Sequence, residues 1–405
     1  MRILWFTGNP GRYETDCGQK ARVDGSWIAC LQTALQKRGT AQLALAFIHP
    51  EGKKKVEING TTYYLMEKAS LPLRFSRVQQ ERDYTKQMAW AINDFKPDII
   101  QIFGTETVMG LACRFTSVPV VIHIQGWMHP IYDAWYPPGY NVAKDKIKAI
   151  LNPQKLLGQL YLSNALLWEK EACSKTHFFM GRTAWDKMVC NLMAPDACYF
   201  YCSELLRRPF YECKKWHYDE NRPMYVVSII NDATYKGVDV ILRTAALLKK
   251  EHSFKWIVCG VNDVEWAERL TNIKADEVNV MCVGSQPSEK LIEHLQKCTC
   301  YVHLSYIENS PNSVCEAQLI GVPVVAANVG GMSTLVEDGV TGLLVPANDA
   351  YAACTKIRML QQNPLLAAQL GAQAAAQAEK RHDEQSIVES LQNIYTSILQ
   401  EKYDK

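Results

Sequence analysis

Apolar residues along this chain come in short, dense runs separated by longer stretches with helical spacing. The run RILWFTG stands at the start, and AQLALAFI follows at 41–48. Between them Ser26–Gln36 (SWIACLQTALQ) repeats apolar residues every three or four positions, which predicts a helix. The stretch Val56–Leu65 has hairpin character around Asn59–Gly60, a dipeptide suited to a tight turn. KPDIIQIFG (96–104) and VPVVIHIQG (118–126) are two further strand-like runs, each opened by a proline and closed by glycine. Strands that are apolar throughout are buried on both faces, so this half predicts a doubly wound α/β layer with a parallel sheet.

From about Met224 the pattern restarts. MYVVSII, the helical VDVILRTAALLKK, FKWIVCG, VNVMCVG, CTCYVHLS, VPVVAAN and TGLLVP give six short runs and a second sheet of the same kind. The segment 206–222, LRRPFYECKKWHYDENR, has no sustained period and reads as a linker. The expected organisation is therefore a domain over 1–205, a linker over 206–222 and a second domain over 223–378. A last segment, 379–405, is expected to pack its helix back on the first domain. Two helical segments, about 350–378 and 384–400, are predicted there, with Arg381, His382 and Asp383 breaking the period. Two Rossmann-like sheets in tandem are expected to face a central cleft, because such sheets bind ligands at the carboxyl ends of their strands.

Composition narrows the class. With 405 residues the chain is too long for one ordinary core. Apolar residues at 48% and charged residues at 21% exclude a disordered chain. Lys plus Arg is 44 against 42 for Asp plus Glu, a formal charge of +2 that gives no reason to expect a nucleic-acid partner. The opening MRILWFTGNPGRY lacks the length and small-residue cleavage site of a signal peptide, and no window approaches a membrane span. Fourteen cysteines without a CxxC spacing read as reduced thiols in a cytoplasmic protein rather than as disulfides or a metal site.

Candidate chemistry concentrates at 308–316, ENSPNSVCE. Ser310 is a candidate N-cap with Pro311 in the first helical turn, and Gly321 followed by Pro323 stops the helix. The N–H groups of Asn312, Ser313 and Val314 would then form an anion site at the helix start. Glu308 precedes that start and Glu316 lies about a turn and a half into the helix, where a carboxylate can accept from vicinal hydroxyls. Spacing alone leaves open a surface loop for Glu308 and a solvated helix face for Glu316. Lys236, in Tyr235–Lys236–Gly237, is expected at the same sheet edge, where it would offset diphosphate charge; an ordinary loop lysine is the alternative. Gly330 and Gly331 let a backbone approach a ligand closely, or simply make a tight turn.

Together these residues carry a resemblance. SYIENSPNSVCEAQLIGVPVVAANVGGMSTLVEDGVTGLLVP is similar to the donor-binding half of glycosyltransferase family 4, retaining enzymes of the two-domain GT-B fold. The resemblance is strong over about 224–350 and diffuse over the first 200 residues. Bacterial capsule and surface-polysaccharide members are the type it suggests, through FFMGRTAWDKMVC (178–190) as well. It implies that Glu316 holds a nucleotide ribose, that Glu308 contacts the donor sugar at the reacting centre and that Lys236 binds the diphosphate. It also implies transfer without a metal or other cofactor and with retained anomeric configuration. Two departures stand out: Ile230–Asn231 occupies the place of a common Gly-Arg, and Thr334 that of a common glutamate.

In the first half the resemblance places a glycine-rich loop at Asp24–Gly25–Ser26–Trp27, making Gly25 and Ser26 donor-binding candidates. It also sets a catalytic-region position at the end of VPVVIHIQG, where Gln125 and His123 are the candidates; for His123 a buried structural role is the alternative. His129 lies in an aromatic, proline-rich loop that either suits sugar stacking or is simply a packed surface loop. Arg182 either meets the cleft or pairs with Asp186 across a helical turn. Two readings stand for 144–168, KDKIKAILNPQKLLGQLYLSNALLW: an amphipathic contact with an anionic membrane, or a core helix with a solvated basic face. The function expected is a retaining glycosyltransferase moving a sugar from a nucleotide diphosphate sugar to a saccharide or lipid-linked saccharide. It would act in surface polysaccharide biosynthesis, in the cytoplasm or peripherally on the inner face of the plasma membrane. The alternatives are a GT-B-fold nucleotide-sugar epimerase or a non-catalytic sugar-binding protein.

Overall fold

The structure is a computed structural model that describes residues 1–19, 26–70, 76–150, 152–219, 223–250 and 252–403. Gly25 lies outside the described residues. The chain forms two compact units, and the first comprises Met1–Tyr132, Asn141–Leu205 and Asp383–Lys405.

In the first unit eight strands form one sheet: β1 (Arg2–Phe6), β2 (Gln42–Ile48), β3 (Lys54–Ile58), β4 (Thr61–Met66), β5 (Ile99–Phe103), β6 (Val120–His123), β7 (Phe178–Gly181) and β8 (Cys198–Tyr201). Their order is β3-β4-β2-β1-β5-β6-β7-β8. Among the described residues only β3 runs antiparallel, joined to β4 through Asn59 and Gly60, both at positive φ as a tight hairpin turn requires. Alternate residues of β1 supply both faces. Leu4 and Phe6 join Met88, Ile92 and Trp168, whereas Ile3 and Trp5 join Trp27, Leu31 and Leu391. The C-terminal helix Glu384–Tyr403 places Ile387, Leu391, Ile394 and Ile398 in this second cluster, a helical stripe facing the sheet.

The second unit comprises Asp133–Tyr140 and Leu206–His382. Its six strands are all parallel: β9 (Met224–Ile229), β10 (Phe254–Cys259), β11 (Val280–Cys282), β12 (Cys300–His303), β13 (Val324–Ala327) and β14 (Leu343–Val345). The order β11-β10-β9-β12-β13-β14 reverses between β9 and β12, so the crevice at the carboxyl ends of that pair is where a ligand belongs.

Three local expectations are corrected. The segment 206–222 is not a bare linker: it contains the helix Arg208–Glu212, and Phe210 and Trp216 are buried in the second core. Trp216 donates from Nε1 to the Cys298 carbonyl at 2.8 Å. The single helical stretch expected at 350–378 is two helices, Ala350–Gln362 and Pro364–Arg381, since Pro364 cannot continue the first and Asn363 caps the second. The stretch 144–168 falls on two helices, Val142–Ile150 and Pro153–Lys175.

Candidate functional site

The loops after β9 and β12 bring the second-half candidates together. After β9 the chain makes a 3-10 turn at Thr234–Lys236 and reverses at Gly237 in the left-handed region, φ 76°. A Cβ on Gly237 would stand 2.1 Å from the Leu304 carbonyl oxygen, so only glycine lets the two loops meet. Tyr306 N–H donates to the Tyr235 carbonyl at 2.8 Å and ties them further.

That contact delivers Lys236 to Glu308. Lys236 Nζ lies 2.6 Å from Glu308 Oε1, with Glu308 buried and Lys236 nearly so. His303, the last residue of β12, places Nε2 2.8 Å from the same oxygen. An ionised carboxylate only accepts, so His303 donates from Nε2. Its Nδ1 faces the Tyr301 hydroxyl at 3.0 Å, and that hydroxyl lies 2.9 Å from Ser313 Oγ. Burial opposes charge on Glu308, but Lys236 and His303 outweigh it and bring its pKa down to about 2. Burial likewise opposes the Lys236 ammonium, and Glu308 outweighs it, leaving the lysine above its ordinary value. Both bonds fall on Oε1, and neither engages Oε2.

Gly330 and Gly331 serve this loop directly. Gly330 has φ 52°, a Cβ there would lie 1.9 Å from the Glu308 carbonyl oxygen, and Gly331 N–H donates to that oxygen at 2.9 Å. The close approach that the glycine pair permits is thus to the Glu308 backbone.

The helix predicted from ENSPNSVCE runs from Asn312 to Ile320 and begins one residue later than expected, with Pro311 rather than Ser310 at the N-cap. Proline carries no side-chain acceptor, and the Pro311 carbonyl takes the Val314 N–H at 3.0 Å and the Cys315 N–H at 3.3 Å. Val314 is therefore committed to the first turn, and the N–H groups of Asn312 and Ser313 precede it at the open end. Gly321 ends the helix at φ 92°.

Glu316 is 1% exposed, not on a solvated face. Arg207 meets it with two parallel bonds, Nε to Oε1 at 2.7 Å and an Nη to Oε2 at 2.6 Å. The same guanidinium reaches Ser288 Oγ at 3.2 Å and lies 4.6 Å over the Phe210 ring. Burial pushes the Glu316 carboxyl up, and Arg207 pulls against it. The Arg207 backbone N–H also bonds to this carboxylate.

First-unit candidates are placed differently. Ser26 caps the helix Trp27–Arg38, accepting from Ala29 N–H at 3.2 Å and lying 2.9 Å from Asn9 Oδ1. His123 is fully buried, with Phe103 stacked on it and Trp27 edge-on, and burial first, then Arg182, depresses it to about 3. It sits in the core with its Nδ1 3.2 Å from Gln101 Nε2. The Gln125 side chain turns back to the His123 carbonyl at 3.2 Å. Arg182 does not pair with Asp186 through its side chain. The Asp186 carboxylate caps its own helix and takes the Arg182 N–H at 2.8 Å. The guanidinium is buried, 3.6 Å from Glu204 and bonded to the Gln125 carbonyl at 3.1 Å. His129 pairs with the wholly buried Glu169 at 2.7 Å. Sequence reasoning missed His303 and Arg207. A histidine closing an otherwise apolar strand five residues before Glu308 was a readable signal; nothing local connects Arg207 to Glu316.

Residues 214–377 match the family described as Glycosyl transferases group 1. The D-inositol 3-phosphate glycosyltransferase of Acidothermus cellulolyticus is 32% identical over 178 residues, 41% of this chain and 39% of that protein. The capsular polysaccharide biosynthesis glycosyltransferase CapM of Staphylococcus aureus is 26% identical over 189 residues, 45% of this chain and 47% of that protein. The chain thus spans less than half the length of these curated relatives. Among solved structures, sucrose-phosphate synthase from Thermosynechococcus elongatus superposes with a TM-score of 0.74 at 13% identity, covering 98% of this chain and 99% of that one. HepE from Anabaena in complex with UDP-glucose gives 0.65 at 16% identity, covering 98% and 100%. These likenesses give the fold, that of GT-B glycosyltransferases.

Proposed function

Because residues 214–377 match the glycosyl transferases group 1 family, we propose that this chain transfers a sugar from a nucleotide diphosphate sugar to a saccharide or lipid-linked saccharide, with retention, in surface polysaccharide biosynthesis. The observation that carries the reading is the set of Lys236, Glu308 and Glu316 gathered at the switch point of the second sheet. In this reading Lys236 and the N–H groups of Asn312 and Ser313 meet the diphosphate. They stabilise the charge that develops on the nucleoside diphosphate as it leaves. Lys236 is already charged and held by Glu308, so it needs no proton from solvent. Glu308 offers Oε2 to a sugar hydroxyl while Lys236 and His303 hold its other oxygen. Glu316, fixed in orientation by Arg207, accepts from the ribose hydroxyls. No proton donor is required at the leaving group, since a diphosphate is a weak base, and none of these three side chains is asked to supply one.

Nothing in this chemistry asks for a metal: Lys236 and two backbone donors carry the cationic role, and Arg207 is engaged elsewhere. Acceptor binding is assigned to the first unit, and contact with an anionic membrane to the helices within 142–175, whose exposed Ile147 and Ile150 adjoin Lys144 and Lys146. Among the described residues no helix is long and apolar enough to cross a membrane.

A panel of nucleoside diphosphates in a thermal-shift assay tests the reading, with product linkage analysis on any active donor. At least one nucleoside diphosphate should raise the melting temperature. Glu316→Ala should weaken that response, whereas Glu308→Ala should cut turnover more than binding. If no nucleoside diphosphate stabilised the protein, the proposal would lose its basis.

A further inference from the structure

The aromatic, proline-rich stretch Asp133–Tyr140 (DAWYPPGY) comes from the first half of the sequence, yet it belongs to the second unit. Its tip is a stiff turn. Pro138 precedes Gly139 at φ 82°, and Tyr140 N–H donates to the Pro137 carbonyl at 3.1 Å, a proline–glycine turn in which glycine supplies the positive φ. Tyr140 stacks on Tyr136 at 5.0 Å, meets Trp266 edge-on at 6.0 Å and packs against the second core. One end of this strap is thereby anchored.

The other end bears on the turn that carries Lys236. Trp135 meets the Tyr235 ring at 5.3 Å, and the Thr234 hydroxyl donates to the Trp135 carbonyl. Thr234–Lys236 is a single 3-10 turn without a side-chain cap, closed by Lys236 N–H on the Ala233 carbonyl at 3.0 Å. A turn that short needs support from outside to hold one shape. Trp135 and Tyr235 are half-buried, and among the described residues neither joins the second core. Their contact therefore serves the turn. The Lys236 ammonium lies 5.0 Å from the centre of the Tyr235 ring, within cation–π range, and 2.6 Å from Glu308. Ring and carboxylate together set where that ammonium points.

We propose that Trp135 is a positioning residue of the donor site: by holding the Tyr235 ring it sets the Lys236 ammonium for a diphosphate. The proposal rests on the donor reading above and extends that site to a segment from the first half of the sequence. Trp135 itself touches no substrate. It pre-organises a cation, so its effect belongs in diphosphate affinity and depends on Lys236 being present.

The test is a double-variant cycle on the full chain, with UDP, ADP and GDP titrated calorimetrically into wild type, Trp135→Ala, Lys236→Met and the double variant. For whichever of the three wild type binds, Trp135→Ala should lose roughly threefold or more in affinity, the size expected when a cation–π contact slackens. In the Lys236→Met background the same change should cost less than about 1.5-fold. Trp135→Phe keeps a ring against Tyr235 and should stay within about twofold of wild type. An equal loss with and without Lys236, which a merely structural tryptophan would give, overturns the proposal. So does an unaltered affinity in Trp135→Ala, or a Trp135→Phe as weak as Trp135→Ala. If none of the three nucleotides binds wild type, the donor reading fails, and the melting temperatures of the same four proteins decide whether Trp135 acts on Lys236. Shifts that depart from additivity by about 2 °C or more sustain that action; additive shifts remove it.

Discussion

Replacing Arg207 by methionine is the most informative single perturbation of the second unit. Methionine keeps an apolar stem over Phe210 but deletes both bonds to Glu316, which is 1% exposed and has no solvent to replace them. Breaking a buried pair from one side typically costs roughly 3–5 kcal/mol, because the surviving charge is left uncompensated. Glu316 then has an escape, which is to take up a proton. Burial already raises its pKa with Arg207 present, and removing the guanidinium raises it further. The folded variant would hold a proton that the unfolded chain releases, so stability falls as pH rises through the window between the two values. The loss in that window is about 1.4 kcal/mol per pH unit. Arg207→Met should therefore be several kcal/mol less stable than wild type at pH 7.5 and recover part of that near pH 5. Glu316→Gln should cost less, since Arg207 is 19% exposed and keeps Ser288. The double variant should be more stable than the sum of the singles predicts, by roughly 2 kcal/mol or more. Denaturant unfolding followed by tryptophan fluorescence, for all four proteins at both pH values, measures this directly. A cost under about 1 kcal/mol for Arg207→Met at pH 7.5, with no pH dependence, would refute the reasoning.

Two further outcomes follow from the glutamate loop. Depression of Glu308 from 4.5 to about 2 contributes stability that is complete above pH 4.5 and is lost as pH falls towards 2, roughly 3 kcal/mol in all. Glu308→Gln should accordingly flatten the acid limb of the stability curve measured between pH 5 and 2; an unchanged limb would contradict the ion pair. Gly330→Ala sets a Cβ 1.9 Å from the Glu308 carbonyl at φ 52°, and should cost roughly 2–4 kcal/mol. Gly339→Ala, at φ 75° with nothing within 4 Å, is the matched control and should cost only about 1 kcal/mol; equal melting temperatures for the two variants would remove the role assigned to the close contact.

The parallel sheets were legible because their strands are apolar on both faces and need no partner information to be seen. β8 was not read as a strand: Cys198–Tyr201 is four residues long, without a fully buried residue, and gives no lasting pattern. The segment 206–222 looked structureless for a related reason, since Phe210 and Trp216 are held by contacts to residues far along the chain. Glu308, Lys236 and Glu316 could be picked out from motif spacing, but not the ion pairs that hold them. Lys236 and Glu308 are 72 residues apart, and Arg207 and Glu316 are 109 apart. The N-cap error at Ser310 has a plain cause: serine is the better cap chemically, yet the Pro311 carbonyl closes the first turn.

The helix Glu384–Tyr403 gives the first unit a peculiarity of biosynthesis. Trp5 donates to the Tyr395 hydroxyl at 3.0 Å, so the helix Glu384–Tyr403 completes a core begun by β1. Residues 206–382 must be translated in between. At about 5–20 residues per second that interval is roughly 10–35 s. Throughout it the nascent first unit presents Ile3, Trp5, Leu31 and Leu35 without their final cover. The growing chain thus keeps that apolar flank uncovered until the helix Glu384–Tyr403 has been made.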